Sequence, residues 1–315
     1  MLNGFSISFK HIKIICSILI IIALLIFIKD FDFSSISIEI SLFDISAILF
    51  VLTASLLLRA WRWQLLMNNL QEKKLSFLFS TKLLFIGQAL NIIMPAGAGD
   101  VAKSYFGYKQ MGMKERMFSV SLFDKVIAIA SIGLLACYSI YMSGEILYVL
   151  LIGISITPLL LILFADSLTR IPRIQNLIQF IQTKTQKINL NEIIHQFKFS
   201  GTIVSQSLLI SVIAWIFTYT LLYFCFVLFG IAISFETVII FSPILTLARL
   251  FPLTLNGIGS DEALMVYLFS MHGDNNQSAI LLGALLYRMI LIMIPALPGI
   301  FFTIYSSQSH NYNKE

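Results

Sequence analysis

The chain of 315 residues is 58% hydrophobic and 12% charged, with a mean hydropathy of +0.90, whereas a soluble domain carries about 25% charged residues. This excludes a water-soluble Rossmann, TIM-barrel or nucleic-acid-binding protein and requires an all-α polytopic membrane protein, because each bilayer span takes about 20 apolar residues. The formal charge of +5 matters less than where its 21 Lys and Arg fall.

In chain order, the first apolar run, Ile12 to Ile28, follows Lys10, His11 and Lys13 and ends at Lys29-Asp30 with no small-x-small cleavage site. It reads as a retained span rather than a signal peptide. The second, Leu42 to Leu58, ends in Arg59-Ala60-Trp61-Arg62-Trp63, where indoles suit the headgroup belt and arginines snorkel. Phe77 to Met94 runs into Pro95-Ala96-Gly97-Ala98-Gly99-Asp100 and resumes as a helix that ends at the basic Lys109 to Arg116. Met117 to Tyr141 and Ile146 to Ala165 follow as spans. Asp166 to Ser200 carries Arg170, Arg173, Lys184, Lys187 and Lys198, with Ile171, Ile174, Leu177, Ile178 and Ile181 at helical spacing. It is either an amphipathic helix on the inner surface or a solvated basic linker. Ile203 to Phe229 spans again, Thr237 to Phe251 breaks over Pro252 to Gly259 and resumes as Ser260 to Met271, and Ala279 to Tyr305 is the last span.

Two of these segments are broken by proline and Gly-x-Gly. Broken backbone at membrane depth is tolerated only against protein or a polar cavity, so both read as re-entrant helical hairpins beside about six transmembrane helices. With both termini cytoplasmic, 15 of the 21 Lys and Arg fall inside and Lys29 alone outside, the other five lying within membrane segments; the positive-inside rule is met. The first hairpin then enters from the inside and the second from the outside. This predicts one integral membrane domain over residues 1–315, with repeat one at 77–141 and an inverted repeat two at 237–305. Inverted repeats with discontinuous helices place a transporter's site near the midplane; close helix packing by small residues is the competing explanation.

Intramembrane ions cost roughly 2.5 to 3.5 kcal/mol each on insertion scales, which makes them functional-site candidates. Lys82 lies one turn into its helix and reads as structural. The others gather at the two breaks: Asp100, Lys103, Asp124 and Lys125 at the first, and Arg249, Asp261, Glu262 and Arg288 at the second. Their four acids and four bases balance. Lys103, Lys125, Arg249 and Arg288, with the amide-rich half-helix starts at Gly97, Gly99, Gly257 and Gly259, form a candidate site for an anionic lipid headgroup, with Asp100, Asp124 and Glu262 orienting the bases. Buried structural ion pairs are the alternative.

His11, His195, His272 and His310 are dispersed outside the spans, so neither a metal site nor a cofactor is expected. Cys16, Cys137 and Cys225 lie in apolar runs, which argues against a disulfide framework. No Walker-type loop is present. Asp30-Phe31-Asp32 in the first outer loop leaves open a membrane glycosyltransferase using a lipid-linked sugar.

The ordered set Pro95 to Asp100 with Lys103, Phe123-Asp124-Lys125, Phe251-Pro252 through Gly257-Ile258-Gly259 and Glu262, Leu286-Tyr287-Arg288, and Pro295 to Gly299 resembles the lysylphosphatidylglycerol synthase transmembrane, or flippase-like, family from about Leu42 to Tyr305. The resemblance implies a lipid translocase of the cytoplasmic membrane acting on an anionic phospholipid or polyprenyl-phosphate-linked lipid. It also implies a stand-alone member without the aminoacyltransferase domain, so aminoacyl-lipid synthesis is not expected. An accessory protein bound to an envelope-biosynthesis enzyme is the further alternative. The family often has a basic residue where Gly97 stands here, leaving Lys103 as the main cation at that break.

Overall fold

The computed structural model describes residues 40–70, 74–94, 97–164, 199–250, 254, 257–271 and 276–311. These form nine α-helices: α1 (Leu42–Asn69), α2 (Phe77–Ile93), α3 (Gly99–Met111), α4 (Lys114–Ser143), α5 (Leu147–Leu163), α6 (Gly201–Leu228), α7 (Phe235–Ala248), α8 (Ser260–Ser270) and α9 (Gln277–Asn311). Among the described residues, α1, α4, α6 and the Gln277–Ile304 part of α9 are long and apolar enough to cross a membrane, and α2, α5 and α7 are shorter apolar helices. The protein is an all-α polytopic membrane protein. The run Ile12 to Ile28, the acids Asp30 and Asp32 and the basic segment up to Lys198 lie outside the described residues.

Local chemistry starts the helices where apolar runs begin. Ser41, Ser76, Ser200 and Ser234 are the N-caps of α1, α2, α6 and α7, each accepting a hydrogen bond from a backbone N–H three residues on. At α1 the cap is reciprocal: Asp44 Oδ2 accepts from the Ser41 N–H at 3.0 Å. Such caps satisfy amides that the first helical turn leaves unpaired.

The order long helix, short apolar helix, break, short helix, long helix occurs twice, as α1 to α4 and α6 to α9. α2 and α7 have 17 and 14 residues, fewer than the roughly 20 a span requires. The halves are interlocked: α2 packs on α9 and α7 on α4, while α3 packs on α4 and α8 on α9. α1 and α6 run against each other. Small residues allow these approaches. A Cβ on Gly299 of α9 would collide with the Phe85 backbone of α2, and one on Gly99 would lie 2.5 Å from the Gly87 carbonyl and the Asn91 amide.

Two apolar cores result. Trp63, Met67, Leu83, Phe123 and Ile127 fill the one beside the first break. Leu52, Phe226, Phe241, Phe269 and Ile280 belong to the other, where Phe269 meets Phe226 edge to face at 4.9 Å. Phe43, Phe50, Leu150, Leu297 and Phe301 remain exposed on the outside, as lipid-facing side chains do.

Candidate functional site

Ser55, Arg59 and Arg62 follow one another at i, i+4 and i+7 on α1, so they share one face. That face meets α6. Ser55 Oγ and Thr218 Oγ1 are 2.8 Å apart, Arg59 Nη2 donates to Thr218 Oγ1 at 2.8 Å, and Arg62 Nη1 donates to Ser211 Oγ at 2.6 Å. Ser211 Oγ in turn lies 2.7 Å from Ser131 Oγ of α4. The Arg59 guanidinium stands over the Trp215 ring, 5.0 Å from its centroid, and the Trp215 indole is fixed by donating to the Ala128 carbonyl at 3.0 Å.

The sequence-based placement of Arg59, Arg62 and Trp63 at the headgroup belt is therefore corrected. α1 continues seven residues past Arg62 to Asn69, about 10 Å of helix, which draws all three into the bundle. Trp63 is buried and donates to Ser121 Oγ at 3.1 Å. Arg62 Nε donates to Asp124 Oδ1 at 2.7 Å, and Lys103 Nζ lies 3.8 Å from Asp124 Oδ2.

At the first break, Lys125 Nζ donates to Asp100 Oδ2 at 3.0 Å, and Asn91 Nδ2 donates to Asp100 Oδ1 at 3.0 Å. Gly97 has φ +67°, and a Cβ there would run into Lys125 Nζ. At the second, Asp261 Oδ2 accepts from Arg249 Nε at 2.6 Å and from Arg288 Nη1 at 3.0 Å. Arg288 Nη1 also donates to the Gly257 carbonyl at 2.9 Å and lies 3.4 Å from Glu262 Oε1. Gly257 has φ +77°, with Asp261 Oδ1 only 2.6 Å from where its Cβ would be. Both breaks need glycine for the left-handed backbone and for room beside a charged side chain.

Exposure separates two kinds of ion pair. The side chains of Arg62, Lys103 and Asp124 are at most 7% exposed, while those of Lys125, Asp100 and Arg249 are 24% to 25% exposed. The first group is the more deeply buried; the second can be reached. A cavity of about 170 Å³ brings together Arg59, Gly97, Asp100, Lys125, Arg249, Asp261 and Arg288 with the apolar Ile129, Ile132, Leu291 and Ile292. A smaller adjoining cavity of about 80 Å³ reaches Arg62, Lys103 and Asp124, and Arg59, Asp100, Lys125 and Trp215 line both.

Of the residues expected from sequence, Gly99 packs α3 against α2 and lines neither cavity. Gly259 and Glu262 form the start of α8: the Gly259 N–H donates to Glu262 Oε2 at 2.7 Å. The amide-rich start of α8 is thus occupied by the protein's own carboxylate. The expected charge balance also changes, because Arg59 and Arg62 join the cluster and make six cations against four carboxylates.

Gln88, Asn91 and Trp215 also line the larger cavity and were not expected from sequence; lone amides and a tryptophan in apolar helices carry no pattern. Arg59 and Arg62 did carry one, the polar i, i+4, i+7 stripe with Ser55.

Residues 14–299, spanning both halves and both breaks, match the family model described as Lysylphosphatidylglycerol synthase TM region. The chain belongs to this family. No curated protein matches it. In this lysylphosphatidylglycerol synthase TM region the matched stretch includes all ten charged residues of the cluster.

Proposed function

We propose that the protein is a flippase-like translocase that passes an anionic phospholipid or a polyprenyl-phosphate-linked lipid between the leaflets of a cytoplasmic membrane. The observation that carries this reading is the mixed lining of the cavity: cations from both halves, with the carboxylates that pair them, together with the apolar Ile129, Ile132, Leu291 and Ile292. A phosphate would draw Lys125 from Asp100 and Arg288 from Asp261, and the carboxylates would recover those cations once it left. This exchange keeps Lys125 and Arg288 compensated in a region where a lone charge is costly. The acyl chains would stay along the isoleucines and leucines, in contact with lipid.

The inverted repeat belongs to the same reading. Moving Arg59 and Arg62 from the inner edge into the bundle leaves 13 of the 15 inner Lys and Arg, still against Lys29 alone outside, so the positive-inside argument stands. Lys125 lies eleven residues into α4 and Arg288 eleven into α9, about 16 Å from each helix start. In a hydrocarbon core about 30 Å thick, opposite orientations of α4 and α9 bring both residues to mid-depth.

The test is movement of fluorescent phosphatidylglycerol and polyprenyl phosphate in proteoliposomes, read with a quencher added outside. Wild-type protein accelerates at least one of them over protein-free vesicles, and Lys125→Ala and Arg288→Ala abolish the gain at equal reconstitution. Wild-type rates in both variants would remove the site assignment.

A further inference from the structure

We infer that the site selects phosphate groups carrying two negative charges, as in a lipid phosphomonoester or diphosphate, and rejects cationic aminoacyl headgroups, with Arg59 as the residue that reads the second charge. The inference rests on the translocase reading and adds the substrate class.

Charge is distributed unevenly between the two halves of the cluster. In the second half, Arg249 and Arg288 are balanced by Asp261 and Glu262. In the first half, Arg59, Arg62, Lys103 and Lys125 face, among the described residues, only Asp100 and Asp124, so the whole formal excess of two positive charges in the cluster lies there. Asp124 is engaged by Arg62 and Lys103, and Asp100 by Lys125. Arg59 has no carboxylate within 4.0 Å among the described residues. One of its N–H groups donates to Thr218 Oγ1, and the described residues offer no acceptor to the other four that a guanidinium carries.

Arg59 is held nonetheless. Trp215 supports it from below through a cation–π contact, and the Ala128 carbonyl holds Trp215. This fixes a planar donor fork, which suits bidentate recognition of phosphate. Arg59 and Lys125 both line the larger and the smaller cavity, so a phosphate at their junction faces both.

The charge of the headgroup then decides. A doubly charged phosphate cancels the excess and a phosphodiester cancels half of it. A lysyl ester of phosphatidylglycerol brings its side-chain ammonium and a partly protonated α-amino group with one phosphate, so it leaves the excess at two or raises it toward three. Charges interact strongly where water is excluded, and like charge is an effective means of rejecting a wrong ligand.

The experiment uses the full chain in proteoliposomes at about pH 8, above the second ionisation of a phosphomonoester. Fluorescent phosphatidic acid, phosphatidylglycerol and lysyl-phosphatidylglycerol are compared in wild type, Arg59→Gln and Arg59→Lys. Wild type moves phosphatidic acid at least about tenfold faster than the lysyl lipid and several-fold faster than phosphatidylglycerol. Arg59→Gln brings the phosphatidic acid to phosphatidylglycerol ratio close to one, while Arg59→Lys keeps a preference. A lysyl lipid moved as fast as phosphatidic acid, or an unchanged ratio in folded Arg59→Gln, overturns the inference and leaves translocation standing.

If wild type moves no lipid, translocation fails, and thermal stabilisation of the detergent-solubilised chain decides the charge class. Stabilisation by short-chain phosphatidic acid or pyrophosphate over phosphatidylglycerol, lost in Arg59→Gln, sustains it; a response to pyrophosphate alone assigns it to a soluble phosphate. Equal or no stabilisation by all three overturns it.

Discussion

Asp100 and Asp261 occupy the same place in their respective half-helices, each the second residue, and each is paired at 3.0 Å with a cation of the long helix that follows, Lys125 and Arg288. A carboxylate in a first turn is favoured by the helix dipole. The breaks therefore fix the acids, and the long helices bring the bases to them. The two pairs are 25 and 27 residues apart in sequence, so neither forms until its hairpin has folded back.

The buried cluster of Arg62, Lys103 and Asp124 sets the first prediction. Asp124→Asn leaves Arg62 and Lys103 without their carboxylate, and breaking a buried pair this way costs about 3 to 5 kcal/mol. The purified variant should melt at a clearly lower temperature in detergent. Replacing all three charges, as Arg62→Met, Lys103→Met and Asp124→Leu, should recover most of the loss, because apolar residues of similar size often substitute for buried ions without penalty.

Gly97→Ala tests the first break. The new methyl group enters the position of Lys125 Nζ, on a backbone already at φ +67°. Lipid movement should fall by more than about tenfold, equivalent to 1.4 kcal/mol, with the protein still monodisperse. Gly112→Ala is the control: its φ is +74° but nothing lies within 4 Å of its Cβ. It should cost about 1 to 2 kcal/mol of stability and leave transport near wild type.

The interlock of the halves depends on Gly299. Gly299→Ala would drive a methyl group into the Phe85 backbone, and overpacking of this kind costs about 1 to 3 kcal/mol. Gly153→Ala in α5, with nothing within 4 Å, should be neutral or stabilising by up to about 1 kcal/mol. Thermal melts of the two side by side separate close helix packing from a general intolerance of alanine.

Orientation can be read by labelling. In a variant with Cys16, Cys137 and Cys225 replaced by serine, single cysteines at Gln110 and Asn276 should react with an impermeant reagent from opposite faces. Reaction from one face at both positions removes the inverted arrangement.

The sequence by itself determined the membrane class, the extent of the described helices to within a few residues except at the ends of α1 and α9, and both breaks, because hydropathy, serine caps and glycines act over a single turn or span. It also singled out Asp100, Lys125, Arg249, Asp261 and Arg288, since any ion in an apolar run stands out. Only the tertiary structure decided which charges meet and which remain in excess. Arg62 finds Asp124, and Arg59 finds Trp215 and Thr218, because α1 lies against α6 and α4; a partner 62 or 159 residues away leaves no local pattern. Reading α1 as ending at Leu58 turned a buried and a half-buried arginine into surface ones, so the sequence suggested a balanced site where the packed helices hold two extra positive charges.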